Sequence, residues 1–110
     1  MRAYELAVIL SGDIDDQAAQ TWVKTIGTNI VGNGGTVVGQ PEWWGRRRFA
    51  YEINKKTEGY YVFFNVLAEG AALDEVERSM RLADEVVRHK LIRLPDREAA
   101  RRGMSATSAA

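Results

Sequence analysis

The chain has no cysteine and only one histidine. A disulfide framework and a thiolate metal site are therefore excluded, and His89 alone cannot build a histidine-ligated zinc centre. The fold has to stand on packing, and no metal or other cofactor is expected. Long apolar runs are missing too. None approaches the roughly 20 residues that a membrane-spanning helix needs. Glu5 interrupts the apolar start and no small-residue cleavage site follows, so nothing reads as a signal peptide and a cytoplasmic protein is expected. An excess of basic charge, the usual mark of a nucleic-acid binder, is also absent: 15 lysines and arginines balance 15 aspartates and glutamates.

A zero total can hide a basic face. Acidic residues gather at Asp13, Asp15 and Asp16 and at Asp74, Glu75 and Glu77, whereas basic ones gather at Arg46, Arg47 and Arg48 and between Arg88 and Arg93. The 110 residues suit one compact domain and are too few for two.

Tyr4 to Leu10 alternates between two sides and stops at Ser11-Gly12, which predicts a strand. Asp15 is the expected N-cap of a helix carrying Ala19, Trp22 or Val23, Ile26 and Ile30 at helical spacing, with a stop at Gly32-Asn33-Gly34-Gly35. A second strand starts at Thr36 to Val38 and resumes beyond Gln40-Pro41 through Trp43 to Ile53, with a bulge or bend at Gly45. A polar turn is expected over Asn54 to Gly59. Tyr60 to Leu67 is dense in aromatic and β-branched residues and forms the strongest strand. Ala71 to Arg81 has the pattern of a helix, and Val86 to Leu94 that of a last strand.

The order βαββαβ predicts an α+β, ferredoxin-like sandwich: a four-stranded antiparallel sheet with two helices on one face. Residues 1–94 form that domain, and 95–110, charged and then small and polar, are expected to be a flexible tail. Leu6, Val8, Leu10, Val62, Phe64 and Val66 are assigned to the covered face, opposite Trp22, Ile26, Ile30, Leu73, Val76 and Met80. The open face then carries Ala7, Ile9, Tyr61, Phe63, Asn65 and Leu67, more apolar than a water-facing sheet usually is. Such a face implies a partner.

The most distinctive segment is Trp44-Gly45-Arg46-Arg47-Arg48-Phe49-Ala50-Tyr51. Guanidinium forks beside aromatic rings suit RNA phosphates and unstacked bases, while charges along an edge strand can also serve only to prevent aggregation. The residues leave both readings open. Arg88, Lys90 and Arg93, with Arg2 on a neighbouring strand, form a second basic strip with the same two readings. Asp15-Asp16 and Asp74-Glu75 are explained as helix N-terminal charge. Gly32 to Gly35 follows a helix and precedes a strand, the wrong order for a phosphate loop. Glu58-Gly59-Tyr60-Tyr61-Val62-Phe63-Phe64 partly matches the first signature of an RNA-recognition motif, but Glu58 reverses a charge, Tyr61 replaces a small residue, and Ala7 and Ile9 offer no stacking platform.

Over roughly residues 1 to 94 the chain resembles the family of bacterial small-subunit (30S) ribosomal protein six. The resemblance lies in Met1-Arg2-Ala3-Tyr4-Glu5, Gly34-Gly35, Trp44-Gly45-Arg46-Arg47-Arg48-Phe49-Ala50-Tyr51-Glu52-Ile53, Glu58-Gly59-Tyr60-Tyr61 and Val87-Arg88-His89. It implies the ferredoxin-like fold, a structural role in the small subunit without catalysis, a heterodimer with ribosomal protein eighteen, and joint binding to the central domain of 16S rRNA during platform assembly. RNA contact is then expected at Arg2, Arg46, Arg47, Arg48, Arg88, Lys90 and Arg93, and partner contact at Ala7, Ile9, Tyr61, Phe63 and Leu67. The doubled Trp43-Trp44, where the family motif needs one tryptophan, is a departure.

Three other functions occur on such a fold. An acylphosphatase-type hydrolase needs an anion-cradling loop after the first strand, where Ser11-Gly12-Asp13 is acidic. A metabolite-binding regulatory domain would be dimeric or fused to an enzyme. A free-standing single-stranded RNA binder ranks next after the ribosomal reading.

Overall fold

The computed structural model describes residues 1–53 and 55–104. The chain runs β1 (Arg2–Ser11), α1 (Asp16–Gly32), β2 (Thr36–Val37), β3 (Glu42–Ile53), β4 (Lys56–Ala68), a turn of 3-10 helix (Gly70–Leu73), α2 (Asp74–Leu82), β5 (Val86–Arg93) and α3 (Asp96–Arg101). All strand pairs are antiparallel. β1 lies centrally between β4 and β5, and β2 and β3 occupy successive stretches of the outer edge of β4, so the five strands make four columns. This is the ferredoxin-like arrangement.

Register assigns the faces. Leu6 pairs with Phe64 and Val8 with Val62, and all four are buried under the helices with Leu10 and Val66. Ile26, Ile30, Leu73, Val76 and Met80 close that layer from above, with Trp22 and Val23 at its margin. α1 starts where expected: the Ala18 amide donates to the Asp15 carboxylate at 2.7 Å, satisfying one of the orphan donors of the first turn.

Two local expectations change. β4 begins at Lys56, so Thr57 to Gly59 belong to a strand and not to a turn. Lys55 turns the chain in the left-handed region at φ 64, while Asn54 lies outside the described residues. Gly59 is needed as a strand residue, because a Cβ there would sit 2.5 Å from the Leu10 carbonyl oxygen and 2.9 Å from the Phe49 ring. No real Cβ fits such a gap.

The second change concerns the tail. Leu94, Ala99 and Met104 pack with Ala3 and Leu67 into a small second core on the far side of the sheet. Residues 95–104 are therefore an ordered cover and not a flexible tail. Residues 105–110 of the expected tail lie outside the described residues. Arg102 pins the cover down, donating to Glu5 at 3.2 Å, to Asn65 at 3.1 Å and to Glu98 at 2.9 Å. Glu98 also accepts from Arg101, and these two guanidinium groups hold its carboxyl at about 2, well below its ordinary 4.5. A depressed carboxylate contributes stability above its ordinary pKa and loses it as pH falls toward the depressed value. The docking of α3 is thus expected to be constant at neutral pH and to weaken between 4.5 and about 2. The NMR shift of the Met104 methyl group, followed through an acid titration, should move only in that window. Movement beginning above pH 5 would show that Glu98 does not hold the cover.

Candidate functional site

With α3 over one end, the open face keeps a bare region at the other. Ala7 and Ile9 of β1 stand opposite Phe63 and Tyr61 of β4, and Lys90 and Arg88 of β5 stand opposite Ala7 and Ile9 on the other side. These six line a shallow depression of about 260 Å³, apolar at its floor and cationic along the β5 rim. The expected partner patch is therefore brought together at Ala7, Ile9, Tyr61 and Phe63. Leu67 leaves it: at 1% exposure it is sealed beneath α3. Alternation gave its face correctly, but no local pattern told that the later segment folds back over it. The signals available were only Ala99 and Met104, too sparse for an apolar stripe.

The other rim is β3, and its geometry depends on one bulge. Trp43 pairs with Val62 and Gly45 with Tyr61, leaving Trp44 as an extra residue. Gly45 accommodates it at φ 78, a conformation costly for any side chain with a Cβ. Adjacent tryptophans thereby reach opposite faces. Trp43 stacks on the core ring of Tyr60 at 5.6 Å, whereas Trp44 lies on the open face, 6.2 Å from Tyr61 and 4.7 Å from Phe63.

The bulge also separates the three arginines. Arg46, opposite Tyr60, turns to the helix side and is bonded there. It donates to Glu58 at 2.5 Å, to the Tyr60 hydroxyl at 2.5 Å and to the Gly12 carbonyl at 2.9 Å, and lies 4.8 Å from the Tyr60 ring. Glu58 raises its pKa further, so the guanidinium stays charged. Arg46 is thus a clamp between β3 and the β1–α1 loop, with its side chain 41% exposed. Arg47, opposite Gly59, is exposed on the open face with its guanidinium 5.7 Å from the Trp44 ring. Arg48 points to the helix side and is exposed.

The second basic strip divides in the same way. Arg88 and Lys90 face the open depression, but Arg93 pairs with Tyr4 and so belongs to the other face, where Arg2 at the end of β1 lies near it. Period-two geometry forbids all four from sharing one surface.

Among the described residues no catalytic constellation emerges. His89 is half-buried on the helix side, its Nε2 3.4 Å from Glu77 of α2. The Ser11 hydroxyl accepts the Asp13 amide within its own turn at 3.1 Å, and Asp13 pairs with Lys56, which lowers its pKa. Among the described residues no cluster of His, Cys, Asp or Glu could hold a metal, and no helix is long and apolar enough to cross a membrane. A wider groove of about 870 Å³ runs between α1 and the β2–β3 connection, lined by Val23, Val31, Val37 and Trp43 together with Lys24.

This combination of fold and residues is found in known proteins. The family model described as ribosomal protein S6 matches residues 3–93. The chain is 46% identical over 88 residues to small ribosomal subunit protein bS6 of an Exiguobacterium species, covering 80% of this chain and 92% of that one. It is 42% identical over 93 residues to bS6 of Salinispora arenicola, covering 84% and 96%. The crystal structure of 30S ribosomal protein S6 from Thermotoga maritima superposes with a TM-score of 0.83 at 29% identity, covering 92% of this chain and 94% of that one. The chain belongs to the ribosomal protein S6 family, RNA-binding structural proteins of the small ribosomal subunit with no enzymatic activity.

Proposed function

We propose that this chain pairs with ribosomal protein eighteen through its open sheet face and that the pair binds the central domain of 16S rRNA during assembly of the subunit platform. The observation that carries this reading is the bare depression around Phe63, apolar at its centre and edged by Arg88 and Lys90. An apolar centre with a charged rim is the anatomy of a protein interface, and the rim cations continue onto the edges where phosphates can approach. A chain of zero net charge gains most from a partner that shares the electrostatic work.

The test is a gel shift on a central-domain 16S fragment with each protein alone and with both together. Tight binding by the pair only is the expected result. Binding of single-stranded RNA by this chain alone, indifferent to the partner, would instead favour a free-standing RNA binder.

The arginines should separate in the same assay. Arg47→Ala and Arg48→Ala are each expected to reduce the salt dependence of log K by about one, the signature of one lost phosphate contact. Arg46→Ala should leave that slope unchanged and lower the melting temperature of the isolated chain, because its donors serve Glu58, Tyr60 and Gly12. An equal slope change at all three positions would mean that Arg46 leaves its clamp on binding.

A further inference from the structure

The second tryptophan, Trp44, flanks the partner depression through Phe63 and Tyr61 but is itself 46% exposed. We propose that Trp44, Tyr61 and Arg47 form a slot for one unpaired nucleobase of the rRNA, with the base stacked on the indole and the guanidinium closing over it toward a phosphate. This inference rests on the reading that the chain binds rRNA and specifies one contact within it.

Three features of the slot carry the proposal. Trp44 is 46% exposed although it is a large aromatic ring on a sheet face. It is also held in place: its indole N–H donates to Glu42 at 3.1 Å, and Tyr61 lies nearly parallel to it, at 19°. A ring fixed from behind and bare in front is a stacking platform whose ordering cost has already been met by the fold.

The spacing suits a flat guest. Trp44, Arg47 and Tyr61 line a shallow hollow of about 330 Å³. The Arg47 guanidinium stands 5.7 Å from the ring centroid, looser than a direct stack. Inserting a base requires two stacking intervals of about 3.4 Å each, roughly 7 Å in all, so Arg47 has to swing outward by only about 1 Å. Its long side chain can do this, since its guanidinium is exposed and rests over the Trp44 ring.

Charge complementarity decides the occupant. Arg47 is an exposed planar cation over the ring and suits a nucleotide, whose base stacks while its phosphate accepts from the fork. An apolar protein side chain would use the ring and leave Arg47 unpaired at a desolvated edge, which is costly.

The experiment compares wild type, Trp44→Leu and Arg47→Lys, each paired with ribosomal protein eighteen, on the central-domain RNA across a salt series. Trp44→Leu is expected to weaken binding about tenfold or more at every salt concentration with an unchanged slope, because stacking carries no counterion release. Arg47→Lys should keep the slope and still lose affinity, since an ammonium retains the charge without the plane. It also gives an independent readout should Trp44→Leu fold poorly. Unchanged affinity in both variants overturns the slot. So does a Trp44→Leu variant that pairs more weakly with the partner when RNA is absent, which would give the surface to the protein. Failure of the wild-type pair to bind the RNA would bring down the proposed function itself, and the slot with it.

Discussion

Phe63→Asp is expected to weaken pairing with the partner protein by at least about thirtyfold and to leave the isolated chain folded. Phe63 lies half-buried in the open depression between Ala7 and Trp44. A large ring at the centre of an interface commonly contributes about 2 kcal/mol or more, and every 1.4 kcal/mol is about tenfold in affinity. An aspartate there adds the cost of a carboxylate desolvated without a partner. In the free chain it would merely be hydrated. Calorimetric titration with the partner and circular dichroism of the variant alone separate the two effects. An unfolded variant would place Phe63 in the core and invert the face assignment, and unchanged pairing would move the partner to another surface.

The neighbouring substitution should do the reverse. Phe64→Ala is expected to cost about 3–5 kcal/mol of folding stability, a large share of the roughly 5–15 kcal/mol typical of a domain. Phe64 is 0% exposed, paired with Leu6 across the sheet and roofed by the helices. Truncation removes a ring from a layer that cannot collapse, because the strand backbone on either side is hydrogen-bonded in place. Urea denaturation should show the midpoint falling with little change in slope. A loss below about 1 kcal/mol would mean that the layer repacks freely, unlike a native core. Two adjacent phenylalanines, one on the open face and one in the core, are a direct consequence of strand geometry.

That division was legible in the residues. Alternation through Tyr60 to Leu67 placed Val62, Phe64 and Val66 inside and Tyr61 and Phe63 outside, and the structure agrees on all five. Asp15 capped α1 as its side chain and position required. The bend at Gly45 was also readable, since glycine within a strand pattern marks such a site. Which way the bulge turned Trp44 and the arginines was not. A single extra residue reverses the face of everything beyond it, and its register is set by the pairing with β4, a partner distant in sequence.

Local periodicity and turn chemistry are properties of short stretches, so the element order through β5, the covered face and the class of fold were determined by the sequence itself. The availability of each charge and each apolar surface was decided only in three dimensions. Arg46 is an arginine like Arg47 until Tyr60, Glu58 and the Gly12 carbonyl converge on it. Leu67 is an open-face residue like Phe63 until Ala99 and Met104 cover it. Both outcomes depend on groups tens of residues away, whose approach is governed by the packing of the whole chain and leaves no trace in the neighbouring sequence.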